Sequence, residues 1–316
     1  MLFYILRRVL YAIPIALGVS IVCFSLVYIG PGDPLSTLLP AEASQEIVDR
    51  MMAEYGLDKP LPIQYLNWLG RLVVGDLGMS IQTSRPVAVD LFPALVNSVI
   101  LAVGAAFLGF TLGCLFGGIA GYNQGRVTDR VFTALSITGV SVPHYWLAIV
   151  LVIIFSVELG WLPALGMNPN GGTSFTFSID NFRHMVLPVI ALSVIPIGVV
   201  ARTVRGSVSE LMALDFVEAL RSKGLSERKI LRHVAKNAAP QALAVMGLQL
   251  GYLLGGSILV ETVFAWPGTG MLLNNAIFSR DIPMLQGTIL VLALIFVTLN
   301  LVVDIIQASL DPRIAR

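Results

Sequence analysis

Charged residues are what this 316-residue chain has least of: Asp, Glu, Lys and Arg make up 12% of it, against 56% hydrophobic residues. A soluble domain carries about 25% charge, so an ordinary water-facing surface is excluded and an integral membrane protein is implied. A net charge of +1 leaves no basic face for phosphates, which excludes nucleic-acid binding. Only three histidines occur, His144, His184 and His233, without an H-E-x-x-H or cysteine pattern, so no metal is expected. Cys23 and Cys114 lie far apart inside apolar runs and are expected as free, small hydrophobes. No Gly-Lys pair exists, which removes the P-loop that cradles nucleotide phosphates, and nothing resembles G-x-S-x-G. The chain therefore reads as a non-enzyme with no cofactor of its own.

What is present is a series of long apolar runs. Arg7-Arg8 precede Val9–Ile29, 21 uncharged residues. That is enough for a bilayer core of about 30 Å and too long for a signal core of about 7–15 residues, so a retained anchor is expected. Pro31-Gly32-Asp33-Pro34 ends it, and residues 30–92 form a polar extramembrane segment. There Ser44 caps a helix carrying Ile47, Met51 and Tyr55 and stopped by Gly56. Residues 62–74, with Tyr65 and Trp68, read as a helix near the headgroups, where aromatic rings favour the interface.

Five further spans follow. One lies within the uncharged run Leu91–Gly125, too long for one straight helix, with its core from about Asn97. The others are Val131–Val157, interrupted by Pro143 beside His144, His184–Ala201 with Pro188 and Pro196, Ala239–Leu259, and Pro283–Ile306. Residues 262–283, broken by Trp266-Pro267-Gly268, read as a re-entrant or interfacial piece, not a seventh span. The chain divides into an N-terminal helix with its extramembrane segment, 1–95, and a five-helix core, 96–316. Gly109, Gly113, Gly117 and Gly121 share one helix face, as do Gly247, Gly251 and Gly255. Such stripes let helices approach closely in lipid, a packing role preferred here over lining a substrate path. Glu158, Glu261 and Asp304 fall at span ends, near water, which disfavours a proton relay through the bilayer middle. For Asp304, pairing and plain solvation remain equal readings.

The segment from Arg202 to Pro240 is the one long charged stretch between two apolar spans of the second half. It holds eight of the twenty basic residues and four acids, Glu210, Asp215, Glu218 and Glu227, and its basic excess marks it as cytoplasmic. Within it Asp215–Leu220 reads as a short amphipathic helix with Phe216, Ala219 and Leu220 on one side and Gly224 as its stop. Ser226 then caps a second helix reaching about Asn237, with Glu227 in its first turn. A two-turn helix is marginal alone in water, so it reads as a contact device for another protein. With both termini cytoplasmic, fourteen of the twenty basic residues fall inside, as the positive-inside rule requires.

Glu218-Ala219 with Gly224 six residues after Glu218 resembles the cytoplasmic EAA loop of ABC-importer permeases. More narrowly, Asp215-Phe216-Val217, Arg221-Ser222-Lys223-Gly224-Leu225, His233 and Asn237 resemble the dipeptide, oligopeptide and nickel permease family. Pro31-Gly32-Asp33-Pro34, Gly75-Asp76-Leu77-Gly78, Glu261-Thr262-Val263-Phe264, Trp266-Pro267-Gly268 and Asp311-Pro312-Arg313 extend the likeness over nearly the whole chain. Leu220 departs from the usual second Ala, and Lys236-Asn237 from Leu-Pro. The resemblance implies an all-α, six-helix type I ABC-importer permease in a bacterial inner membrane. It implies a channel shared with a second, similar permease, two cytoplasmic ATPases that hold ATP and Mg, and an extracytoplasmic substrate-binding protein. By the same resemblance Asp215, Phe216, Glu218, Ala219, Leu220, Arg221, Lys223 and Gly224 couple the ATPases to the spans. Peptides are the leading substrate; relatives also carry nickel complexes, glutathione and oligosaccharides. A secondary transporter is the alternative, disfavoured by the lack of mid-membrane charge, and a membrane scaffold is a further one.

Overall fold

The computed structural model of the chain describes residues 2–29 and 58–310. The turn expected at Pro31–Pro34, the helix expected from Ser44 to Gly56 and the Asp311-Pro312-Arg313 patch lie outside the described residues. The described chain is helical, with a lone antiparallel bridge between Met79 and Pro86. Its helices are α1 (Leu2–Ile29), α2 (Leu61–Val73), α3 (Val87–Tyr122), α4 (Val127–Ser141) and α5 (His144–Leu151), which continues as a π-helix over Val152–Glu158. Then come α6 (Ile179–Met212), α7 (Asp215–Ser222), α8 (Glu227–Gly256), α9 (Ile258–Val263), α10 (Thr269–Ser279) and α11 (Ile282–Leu310).

Four of these helices are long and apolar enough to cross a membrane: α1 over Leu6–Ser25, α3, α6, and α11 over Ile282–Ile306. The helices on either side of Pro143 make a fifth if taken as one span, bent by 97°. Proline supplies the reason: it has no N–H to give and drives the residue before it out of the helical region, and Val142 is indeed extended. The span expected at Ala239–Leu259 falls on α8 and α9, and α8 is not among the four because Pro240, Gln241, Gln249 and its glycines dilute the hydropathy of its uncharged part.

Helix ends differ from the expected span ends. α3 is one continuous helix through Pro93, where one too long to be straight was expected, and it runs across the boundary drawn at residue 95. α6 passes through Pro188 and Pro196 and beyond Ala201 to Met212. α8 joins the expected second helix of the charged segment to the span behind it, through Pro240. Hydropathy marks where the bilayer stops, while Arg, Glu, Leu, Met and Ala keep a helix going in water.

The core is built on the pairing of α3 with α6, the most extensive among the described residues. Leu101, Ala105, Leu187, Ala191 and Leu192 pack there with Ala148, Leu253, Phe264 and Trp266, all buried. α2 has no buried residue and leans on α1, where Tyr65 and Trp68 meet the Phe24 ring. The hydroxyls of Tyr65 and Ser20 lie 2.7 Å apart.

Candidate functional site

α7 sits in an elbow between the ends of α6 and α8. Only residues 213–214 and 223–226 of the expected loop are non-helical. The underside of α7 is Val217, 1% exposed, packed with Val200, Val204 and Val208 of α6 and Ile230, Val234, Ala238 and Ala242 of α8. Phe216 and Leu220 flank it, partly buried, whereas Ala219 points outward with Asp215, Glu218, Arg221 and Lys223. The expected apolar face of Phe216, Ala219 and Leu220 is therefore corrected to Phe216, Val217 and Leu220. The i, i+3, i+4 pattern fits either side of so short a helix, and the valines of α6 decide.

The exit from α7 is locked by its own backbone. Gly224 takes φ +77°, its N–H donates to Arg221 O at 2.8 Å, and the Leu225 N–H donates to Leu220 O at 3.2 Å. This is a Schellman closure, with Leu225 and Leu220 both packed in the same apolar cluster, as that motif favours. Arg221 Nε donates to Glu227 Oε1 at 3.0 Å and the Tyr122 hydroxyl donates to Glu227 Oε2 at 3.3 Å, tying the elbow to the end of α3. The Arg221 guanidinium holds the Glu227 carboxyl below its usual range. Ser226 occupies the N-cap position of α8 without a side-chain capping bond, so the cap expected there is a position and not a hydrogen bond.

Behind the elbow, the glycine stripe of α3 faces α6. A Cβ on Gly109, Gly113, Gly117 or Gly121 would lie 2.8 Å from Pro196, Val200, Val204 or Val208 respectively, too close for any real Cβ. Along α8, a Cβ on Gly247 would strike Val303 and one on Gly251 would strike Phe296, both of α11. Gly255, one turn further on, differs from the expectation: nothing lies within 4 Å of its Cβ position. Near the elbow Arg205 of α6 grips Asp129 of α4 through two nitrogens, at 2.5 and 2.9 Å, and Asp129, 3% exposed, also accepts from Gly125 N and Thr133 Oγ1. Nothing in the local sequence marks Asp129 as buried, because its partner lies 76 residues away.

At the other end of the bundle, Glu261 corrects the expectation of a carboxylate near water. It is fully buried in α9. Ser98 of α3 donates to its Oε1 at 2.7 Å and the Gly270 N–H to its Oε2 at 2.7 Å, at the start of α10. Free N–H groups at a helix start make a ready seat for a carboxylate. Asn97 Nδ2 donates to Pro267 O and Thr173 O, both at 2.8 Å, and Trp266 Nε1 returns a bond to Asn97 O. Residues 257–279 are thereby clamped to α3 as a short helical hairpin. Asp304 is paired, with Arg8 at 2.7 Å, which decides between its two readings. Glu158 is exposed. His144 places Nε2 3.1 Å from Gly256 O and His184 places Nδ1 2.8 Å from Asp180 O; among the described residues no group of His, Cys, Asp and Glu could hold a metal.

Comparison with known proteins gives this geometry a context. Residues 109–316 match the family described as the binding-protein-dependent transport system inner membrane component, and residues 1–90 its N-terminal counterpart. A dipeptide transport system permease of Alkalihalophilus pseudofirmus is 37% identical over 99% of both chains. A glutathione transport system permease of Escherichia coli K12 is 36% identical, again over 99% of both. Among solved structures, the inward-facing methionine ABC transporter MetNI aligns with a TM-score of 0.57 and 17% identity, over 70% of this chain and 95% of that one.

Proposed function

Since the chain belongs to the binding-protein-dependent transport system inner membrane components, the permease subunits of ABC importers, we propose that it carries short peptides inward and receives ATPase motion through α7. Hydrolysis belongs to separate ATPase subunits, so this chain supplies the path and the lever. The observation that carries the reading is the elbow. α7 has a buried underside fixed to α6 and α8, a locked exit at Gly224, and an outer face of Asp215, Glu218, Ala219, Arg221 and Lys223 left open. A helix held so firmly on one side moves as one piece with the two long helices beneath it. A push on its outer face therefore reaches α3 through α6 and its glycine contacts.

On this reading the α7 end faces the cytoplasm, a second permease completes the channel, and an extracytoplasmic binding protein delivers substrate at the opposite end. Peptides are preferred because relatives similar over full length are named for dipeptide and glutathione transport, and glutathione is itself a tripeptide. The test is uptake of a labelled dipeptide and tripeptide panel by cells with and without this chain, combined with affinity recovery of the chain. Peptide uptake that depends on the chain, with ATPase subunits recovered, supports the reading. Uptake with no ATPase in the recovered complex would point to a secondary transporter; neither would point to a scaffold.

A further inference from the structure

We propose that the notch between α3, α4 and α6 is a binding site for an anionic phospholipid, with the Arg202 guanidinium holding its phosphate. The notch is a cavity of about 120 Å³ whose lining includes Phe116, Gly117, Phe132, Ile137, Ala201 and Arg202. The Phe116 and Phe132 rings stand 4.9 Å apart across it. Two arginines reach it, and they differ. Arg205 is committed to the buried Asp129 by two charge-assisted bonds. Arg202, one turn earlier, is exposed, and none of the ion pairs among the described residues involves it.

Depth and surroundings identify the occupant. Gly117 lies five residues before the end of α3 and Phe132 five residues after the start of α4, which puts both about 7 Å inside the helix ends. With the ends of α3 and α4 set among the headgroups on the side that carries α7, that depth falls at the boundary between headgroups and acyl chains. An apolar wall lies beside it: Ile137 of the lining is about half exposed, as are Leu115, Val131 and Leu135, which neighbour lining residues in sequence. A water-borne anion would have to cross that wall, while a lipid of the adjoining leaflet already lies against it. The basic excess of 202–240 raises the local concentration of anionic lipid further. The phosphate meets Arg202, and one acyl chain runs along Phe116, Phe132 and Ile137. Lodged there, the lipid borders the Asp129–Arg205 clasp that joins α4 to α6, so its presence bears on how the two helices move together.

The test uses the whole importer in nanodiscs of phosphatidylcholine with graded phosphatidylglycerol. Bound lipid is read by native mass spectrometry, and peptide-stimulated ATP hydrolysis is read as a function of phosphatidylglycerol fraction. Wild type is expected to retain a phosphatidylglycerol that Arg202→Gln loses, and Arg202→Gln to need about fivefold more of it for half-maximal stimulation, the scale of one basic residue at a charged leaflet. Arg202→Lys restores part of the effect, and Ile137→Trp, which keeps the arginine and fills the acyl groove, abolishes retention. Unchanged lipid retention in both Arg202→Gln and Ile137→Trp overturns the proposal. So does displacement by inorganic phosphate, which would mark a plain anion site, or cross-linking of Ile137→Cys to the second permease, which would make the notch a protein interface.

Discussion

At the scale of single residues, Gly224 and Val217 carry the elbow, and each can be tested separately from the contact surface. A β-branched residue at Gly224 has to hold φ near +77°, which costs about 1–2 kcal/mol for a side chain carrying Cβ. Gly224→Val is expected to lower transport-coupled ATP hydrolysis in reconstituted vesicles while the subunit stays in the membrane; full coupling there would refute the lever. Val217→Asp buries an unpaired carboxylate among valines and should lower the amount of folded chain. Ala219→Asp, on the open face, should leave folding intact and reduce recovery of ATPase subunits on size exclusion; equal recovery would mean that the outer face of α7 touches nothing. Gly224 was legible from sequence because only glycine takes that backbone cheaply at a helix end. Val217 was not, since its burial is decided by Val200, Val204 and Val208 of another helix. The same holds for Glu261: Ser98, 163 residues away, makes an apparent interfacial acid a buried one.

At the scale of elements, the close contacts of α3 with α6 and of α8 with α11 rest on glycine. Leu at Gly113 forces α3 off Val200, and overpacking of this kind costs about 1–3 kcal/mol. Gly113→Leu is therefore expected to lower the thermal stability of the purified complex and its transport, and Gly251→Leu to do the same through Phe296. Gly255→Leu is the control, with open space around its Cβ, and should change thermal stability little. A stable, active Gly113→Leu protein would mean that the α3–α6 contact loosens during the cycle. Four-residue glycine spacing made these faces visible in the sequence, though not their partners, nor that the second stripe ends a turn early. Helix lengths were misread for a related reason. The expected span stops at Ala201 and the next begins at Ala239, where the charged segment meets the apolar runs, yet charge ends only the apolar run, and α6 and α8 continue through it to form the walls of the elbow.

At the scale of the whole molecule, α6 joins the two ends on which the transport reading depends. Its 34 residues extend about 50 Å, well beyond a hydrocarbon core of about 30 Å, so the segment before Ile179 and the α7 elbow after Met212 must emerge on opposite sides of the membrane. On the transport reading the α7 end is the cytoplasmic one, as the positive-inside rule favours, because residues 202–240 hold eight basic residues whereas residues 158–183 hold only Arg183. Asn170 and Ser222 are both exposed and mark the two ends. In a background with Cys114→Ala, and with Cys23 already buried, Ser222→Cys should react with a membrane-impermeant thiol reagent only in inverted vesicles, and Asn170→Cys only in intact right-side-out ones. Labelling of both from one side would mean that α6 does not cross. The opposite pattern would turn α7 away from any cytoplasmic ATPase, leaving its open face with no source of work, since this chain has no P-loop with which to hydrolyse ATP itself.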